Sequence, residues 1–355
     1  MRQLRHFAAR PTDTNRKIFE KEIFEMTKPK AIFLCNYDGK VQDVYGSAGI
    51  ERIRKNADIS DVVVTEEELK KGGYQDTEYV FSTWGMPALT VEEIKTYLPK
   101  LKAVYYAAGA TDHFARQYFA LDIPVLSAWQ ANAIPVAEFC VAQILLSLKG
   151  YFRGLNEFTS PEGRNAARKC IGRGVYGETV ALIGAGAIST KVQELLKNFD
   201  VNVIVVPSRP ERRTISLEEA FSKAYVVSNH LPNRDDNIGV LNGKLFASMR
   251  QGATFINTGR GAQVNEPEMI EVLKKRPDLT ALLDVTFPEP PVEGSELYTL
   301  PNVKLSGHIA GSEQDEWHRM ATYMAEEFER HLSNQPYRYQ VSESMLLTSF
   351  PSEKK

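Results

Sequence analysis

Three side chains of different chemistry sit just past three short apolar runs in the second half of the chain. Arg260 follows residues 254–257 in Asn257-Thr-Gly-Arg260-Gly, Glu289 follows 279–285 in Asp284-Val-Thr-Phe-Pro-Glu289-Pro, and His308 follows 303–306 in Ser306-Gly-His308-Ile-Ala-Gly. In an open parallel sheet, ligands bind beyond the carboxyl ends of the strands. Runs of this kind would bring a cation, a carboxylate and an imidazole to one edge. A guanidinium grips a carboxylate through a planar fork, and an imidazole moves protons near neutral pH. Each residue alone has a plainer reading: a surface loop for Arg260, a solvated turn for Glu289, a structural histidine for His308. Their joint placement points to chemistry.

A fourth signal precedes them, in Thr179-Val-Ala-Leu-Ile-Gly184-Ala-Gly186-Ala187-Ile188-Ser189. An apolar strand runs into a glycine turn, and a helix opens after it. Gly184 permits the tight turn and Gly186 lets backbone approach a pyrophosphate, with the helix N-terminus facing that anion. Ser189 stands where the usual fingerprint has its third glycine, a departure expected to loosen helix–strand packing. Between a strand and a helix, this Gly-x-Gly points to a dinucleotide.

Short β-branched runs alternate with helical patterns through most of the chain. Strands are predicted at 31–36, 61–64, 79–82, 102–106 and 123–127, with helices such as 91–100 and 111–120 between them. A long apolar helix follows over 135–151, with Pro135 in its first turn. A second series of strands is predicted at 179–183, 201–206, 225–229, 254–257, 279–285 and 303–306, with helices at 187–199, 217–223, 243–249 and 266–275. A last long helix covers 313–332, after which the chain is read as irregular; 160–174 is read as a polar, basic surface connection. Such alternation implies an α/β fold of two doubly wound parallel sheets covered by helices on both faces.

Together these motifs, with Leu231-Pro232, resemble the D-isomer-specific 2-hydroxyacid dehydrogenases, which include glycerate, glyoxylate and phosphoglycerate dehydrogenases. The likeness runs from about Lys30 to about Met345. It implies two Rossmann-like domains, the nucleotide-binding one inserted into a discontinuous substrate domain. The expected division is an N-terminal extension over 1–29, a substrate domain over 30–130 and 312–355, and an NAD(P)-binding domain over 131–311. The two long helices would cross between the domains. The family's catalytic Arg, Glu and His fall on Arg260, Glu289 and His308. In Tyr105-Tyr-Ala-Ala-Gly109-Ala110-Thr-Asp112-His, the N–H groups of Gly109 and Ala110 match those that hold the substrate carboxylate. The family usually has glycine where Ala110 stands. The alternative is an ordinary strand-to-helix turn, with Asp112 and His113 capping the helix.

The implied activity is NAD(P)-dependent interconversion of a small 2-oxo acid and its D-2-hydroxy acid. Arg260 would bind and polarise the substrate, His308 would give and take the proton, and Glu289 would orient His308. Gly184, Gly186, Ala187, Ile188, Ser208, Arg209, His230, Pro232, Thr258, Asp284 and His308 are the expected cofactor contacts. Asp284 would accept from the nicotinamide carboxamide, with loop capping as the alternative; His230 would line the adenine side, with a simple loop histidine as the alternative. An NAD-preferring site usually has an acid at the end of the second strand. Here 201–206 ends in Pro207-Ser208-Arg209-Pro210, with Arg212 and Arg213 close behind and Glu211 among them. This favours NADP(H) over NAD(H). The family also contains NAD(H)-sensing corepressors, so a scaffold without turnover is the alternative function. Glu289 argues against the formate dehydrogenase branch, where glutamine pairs the histidine. The family implies a homodimer.

The chain has 355 residues, roughly two domains' worth. Hydrophobic residues make up 43% and charged ones 25%, which excludes a disordered chain. Net charge is −2, so no cationic surplus points to nucleic acid or an anionic membrane. The longest apolar stretch, 136–148, falls short of the ~20 residues of a membrane span. Cys35, Cys140 and Cys170 have no close Cys or His spacing, so no metal site is expected and a reducing cytoplasm is. The N-terminal MRQLRHFAAR resembles a transit peptide only faintly, since acids follow it and no apolar signal core does.

Overall fold

The computed structural model describes residues 28–346. The expected N-terminal extension, apart from Lys28 and Pro29, and residues 347–355 lie outside the described residues. Two parallel sheets organise the rest. The first contains β1 (Ala31–Leu34), β2 (Val63–Val64), β3 (Tyr79–Ser82), β4 (Ala103–Tyr106) and β5 (Val125–Ser127), in the order β2-β1-β3-β4-β5. The second contains β6 (Glu178–Ile183), β7 (Val201–Val206), β8 (Val226–Asn229), β9 (Thr254–Asn257), β10 (Thr280–Leu283) and β11 (Val303–Leu305), in the order β11-β10-β9-β8-β6-β7. Every position of β3, β4, β8, β9 and β10 is buried. Helices on both faces produce that burial, which is why these strands read as unbroken apolar runs rather than alternating ones. Each sheet changes winding direction beside its first strand, between β1 and β3 and between β6 and β8. Such switch points leave a crevice at the strand ends.

Both ends of the described chain build the first unit. Helix Trp317–Leu332 lays Met320, Met324 and Phe328 onto the sheet formed by β1–β5. The Phe328 ring meets Tyr79, Phe81 and Tyr105 edge-on at 5.0, 5.2 and 5.5 Å between centroids. The second sheet lies between these segments in the sequence, so one α/β unit is inserted into the other.

The first crossing helix corrects the expected boundary. It spans Trp129–Leu148 and holds Pro135 in its interior, not its first turn. Proline there removes the hydrogen bond to the Ala131 carbonyl. This is also where the helix changes partners: Ala131 belongs to the first core, and Val136 to Leu148 to the second. At 20 residues the helix is long and apolar enough to cross a membrane, contrary to the expectation for 136–148, but 56% of the span is buried inside the protein.

Other elements escaped the sequence. Helix Lys40–Arg54 packs against Trp317–Leu332 and is interrupted by Gly46 at φ 58°. The stretch expected as a surface connection contains helix Gly163–Lys169, which follows helix Tyr151–Glu157; neither has a buried residue. The stretch after Leu332 is ordered as well. Fully buried Glu327 accepts from the N–H groups of Arg338 and Tyr339 at 2.8 and 3.3 Å. The chain then runs beside β5, where the Ser127 N–H donates to the Tyr339 carbonyl and the Val341 N–H to the Val125 carbonyl at 3.1 and 2.9 Å. The described residues end in a short helix, Glu343–Leu346.

Candidate active site

The glycine turn after β6 is shaped by close backbone contact. Gly184 sits at φ 113°, and a Cβ there would come within 2.3 Å of the His230 carbonyl oxygen. Only glycine lets the ends of β6 and β8 approach this closely. Gly186 precedes helix Ala187–Leu196 and has open space where its side chain would be. Open backbone at the start of a ten-residue helix fits a pyrophosphate. Ser189 is fully buried without a hydrogen-bond partner for its hydroxyl, so the substitution for glycine is accommodated inside the packing.

A buried amide network positions Arg260. Asn229 donates to the side-chain oxygens of Asn257 and Gln263 at 2.9 and 2.7 Å. Gln263 donates to the carbonyls of Leu231 and Pro232, and accepts from the Arg260 N–H at 3.1 Å. The loops after β8 and β9 are thereby tied together. Gly261 packs against the loop after β10: a Cβ there would come within 2.0 Å of the Thr286 carbonyl oxygen. The Arg260 backbone is fixed from both sides while its side chain remains exposed. Among the described residues its one side-chain hydrogen bond goes to the Gly259 carbonyl, at 2.8 Å, and it has no carboxylate partner.

His308 and Glu289 meet. The Nδ1–H donates to Glu289 Oε1 at 2.6 Å, which leaves Nε2 free to exchange a proton. His308 has φ 58°, an uncommon conformation for a residue with a side chain. Buried Asp284 holds it there: one oxygen accepts from Ser306 Oγ and the Ile309 N–H at 2.6 and 3.0 Å, the other from the Ala310 N–H at 3.0 Å. These bonds give Asp284 the loop-capping role directly. A carboxylate has about four acceptor positions, so about one is left for a ligand.

On the first sheet, the loop after β4 is pinned from below. Ser127 Oγ donates to the carbonyls of Ala108 and Gly109 at 2.8 and 2.7 Å. Neither the Gly109 nor the Ala110 N–H has a hydrogen-bond partner among the described residues. Asp112 and His113 do not cap the next helix. Its N-cap is Phe114, without a side-chain cap, and His113 Nε2 lies 3.3 Å from the Met86 carbonyl.

One cavity of about 570 Å³ brings the two halves together, lined by Gly109 and Ala110 on one side and Thr258, Arg260 and His308 on the other. A second, of about 410 Å³, is lined by Gly186, Ile188, Ser208, Arg209, His230, Pro232 and Thr258. Ile188, Asn233, Thr258 and Arg260 line both. Glu289 and Asp284 line a third hollow, behind His308. Ala187 lines neither of the first two cavities; it is the first residue of the helix behind the turn. No group of three metal-ligating side chains occurs among the described residues.

The family model for the D-isomer specific 2-hydroxyacid dehydrogenase NAD binding domain matches residues 141–310. This is the segment that carries the glycine turn, Arg260, Glu289 and His308. Residues 141–310 are thus a nucleotide-binding unit of the D-isomer-specific 2-hydroxyacid dehydrogenase type. The chain is similar to the Bacillus subtilis 2-hydroxyacid dehydrogenase-like protein YoaD, 32% identical over 201 residues, covering 54% of this chain and 58% of that protein. It is also similar to D-3-phosphoglycerate dehydrogenase 2, chloroplastic, of Arabidopsis thaliana, 26% identical over 299 residues, covering 81% of this chain and 47% of that protein. The chain thus spans about half the length of these curated relatives. D-mandelate dehydrogenase of Rhodotorula graminis shares the fold at TM-score 0.73 and 18% identity, with 89% of this chain and 98% of that one covered.

Two features of this site carry no plain signal in the sequence. Asn132, near the start of the crossing helix, accepts from the Ser312 N–H at 2.8 Å and lines the central cavity. A polar residue on an apolar helix was the available signal. Trp84, Val341, Met345 and Leu346 also line the cavity, and nothing local in the sequence places them there.

Burial pushes the His230 imidazole down to about 4, from an ordinary 6.5. Its ring nitrogens have no hydrogen-bond partner. The unfolded chain takes up this proton below pH 6.5 and the folded protein only near 4, so stability is full above 6.5 and falls as pH drops toward 4. Between pH 7 and 5 the wild type is expected to lose about 2 kcal/mol more than His230→Gln. Urea unfolding midpoints of both proteins at the two pH values check this; parallel losses would contradict it. Burial also pushes the Cys140 thiol up to about 11, and its Sγ lies 3.3 Å from Thr258 Oγ1, so Cys140 is an inert neighbour of the cavity.

Proposed function

We propose that this chain is an NAD(P)-dependent oxidoreductase that interconverts a small 2-oxo acid and the corresponding D-2-hydroxy acid. The observation that carries the proposal is the cleft shared by Gly109, Ala110, Arg260 and His308, with Glu289 behind the histidine. A substrate carboxylate accepts from the Gly109 and Ala110 N–H groups and from the Arg260 guanidinium, whose fork also reaches the ketone oxygen. A nicotinamide dinucleotide bound at the glycine turn supplies the hydride, or takes it in the reverse direction. His308 donates its Nε2 proton to the oxygen on which charge develops. Glu289 fixes the ring through Nδ1 and stabilises the imidazolium. Closure of the two units over bound substrate would exclude water from the reacting atoms, which stand open to solvent here.

NADP(H) is the proposed preference. Arg213 spends its guanidinium on the Pro207 and Ser208 carbonyls, both at 2.9 Å, and so shapes the turn. Arg209 and Arg212 line the cofactor cavity, and neither has an ion pair among the described residues, with Glu211 or any other acid. A 2′-phosphate there meets two uncommitted cations and no carboxylate at the end of β7. Arg209→Ala is expected to raise KM for NADPH about ten-fold, and KM for NADH much less. Initial rates with both cofactors on one oxo acid check this. Equal use of the two by wild type, or an unchanged ratio in the variant, would sink the preference.

A homodimer through the nucleotide-binding unit is also proposed. Support comes from helix Tyr151–Glu157 and the residues beside it, where Tyr151, Leu155 and Phe158 are 47%, 49% and 57% exposed. All three cysteines are free, which suits a reducing cytoplasm. The activity itself is tested by steady oxidation of NADPH or NADH with a panel of 2-oxo acids. Cofactor binding without turnover of any of them would favour a nucleotide-sensing scaffold instead.

A further inference from the structure

We propose that the substrate is a 2-oxo acid with an apolar, uncharged side chain, and that the C-terminal segment 339–346 forms the wall that selects it. This rests on the oxidoreductase reading above and narrows it. Trp84, Val341, Met345 and Leu346 line the cleft that also holds Gly109, Ala110 and Arg260; Met345, 37% exposed, presents the open surface, and Val341 and Leu346 back it from the core. Val341 and Leu346 are 3% and 1% exposed.

The segment is fastened in place rather than draped over the opening. Its residues pair antiparallel with β5 through the Leu126–Gln340 bridge. Arg116 Nη2 donates to the Leu346 carbonyl at 2.6 Å. Glu327 holds the turn that leads into it. A wall fixed at three points defines the shape and polarity of the space beside the carboxylate cradle.

Charge then excludes one class of substrate. Arg260 is the one permanently cationic side chain among the described residues lining this cleft, and it is committed to the substrate carboxylate. The remaining charged lining residues are His308, used for the proton, and two acids, Asp112 and Glu313. Lys40 lies nearby but outside the lining: its Nζ sits 4.1 Å from the Trp317 ring centre and 3.9 Å from Asp43. A phosphate on the substrate side chain would lose water, meet no further cation among the described residues lining the cleft, and face two carboxylates. An apolar side chain meets carbon surface, where each buried methylene is worth roughly 0.8 kcal/mol.

The test compares kcat/KM for 4-methyl-2-oxopentanoate, glyoxylate and 3-phosphohydroxypyruvate, with the preferred cofactor saturating. The branched acid is expected to exceed the phosphorylated one by about 100-fold or more. Met345→Ala is expected to lower the ratio of the branched acid to glyoxylate about ten-fold, because glyoxylate has no side chain to meet the wall. Met345→Arg is expected to reverse the charge discrimination and raise the relative use of the phosphorylated acid. Preference of the wild type for 3-phosphohydroxypyruvate, or an unchanged ratio in Met345→Ala, would overturn the assignment while leaving the oxidoreductase reading intact. Reduction of no oxo acid by either cofactor would overturn both.

Discussion

His308→Ala is expected to lower kcat for oxo-acid reduction by about 10²–10⁴-fold, with cofactor binding little changed. The reasoning begins with geometry. The imidazole lines the central cleft, and its Nδ1 is engaged by Glu289 at 2.6 Å, so Nε2 is the nitrogen available on the cleft side. Alanine removes the ring and leaves an oxygen that gains charge during reduction without a donor other than water. The loop itself is held by Asp284 through the backbone N–H groups of Ile309 and Ala310, which alanine retains. A fall in kcat with intact folding and intact cofactor affinity therefore reports on the proton, not on the loop. Steady-state rates and cofactor titration by fluorescence give both readouts. A variant with normal kcat would remove His308 from the mechanism.

Arg260→Lys is expected to raise KM for oxo acids and lower kcat together, with kcat/KM down by at least about 100-fold. The backbone at this position is fixed by Gln263 and by the close packing of Gly261, so the side chain projects from a rigid base. Lysine keeps the charge and loses the planar fork, which spans a carboxylate and an adjacent carbonyl at once. An interaction made in both the ground and transition states affects both parameters; a purely electrostatic one would survive in the lysine variant. Unaltered KM and kcat would show that Arg260 does not touch the substrate.

The parts of this site legible in the sequence are those that follow a strand. Arg260 and His308 each come a few residues after a β-branched run, and a parallel sheet brings all such positions to one edge. Gly184 was legible because a turn this tight, against the His230 carbonyl, tolerates no Cβ. What was hidden depends on contacts distant in sequence. Asn132 reaches Ser312 across 180 residues, and Val341 joins β5 only after Trp317–Leu332 has returned the chain to the first sheet. No local periodicity encodes either. Asp284 shows a third case: its position at a strand end was visible, but its three bonds to the loop of His308 depend on how the neighbouring strand end folds back. Pro135 mimics a helix start, because a first helical turn tolerates proline. The structure continues the helix six residues earlier, to Trp129, since packing against both cores compensates for one lost hydrogen bond.

The central claim is that this cleft carries a hydride and a proton to a 2-oxo acid. The most direct measurement combines wild-type protein, NADPH and 4-methyl-2-oxopentanoate, follows reduced cofactor to completion, and resolves the product on a chiral column. The expected result is one D-2-hydroxy acid formed per cofactor oxidised, at a rate lowered about 10²–10⁴-fold in His308→Ala. Cofactor that binds but is never oxidised by this or any other oxo acid, or a product of the opposite configuration, would contradict the account.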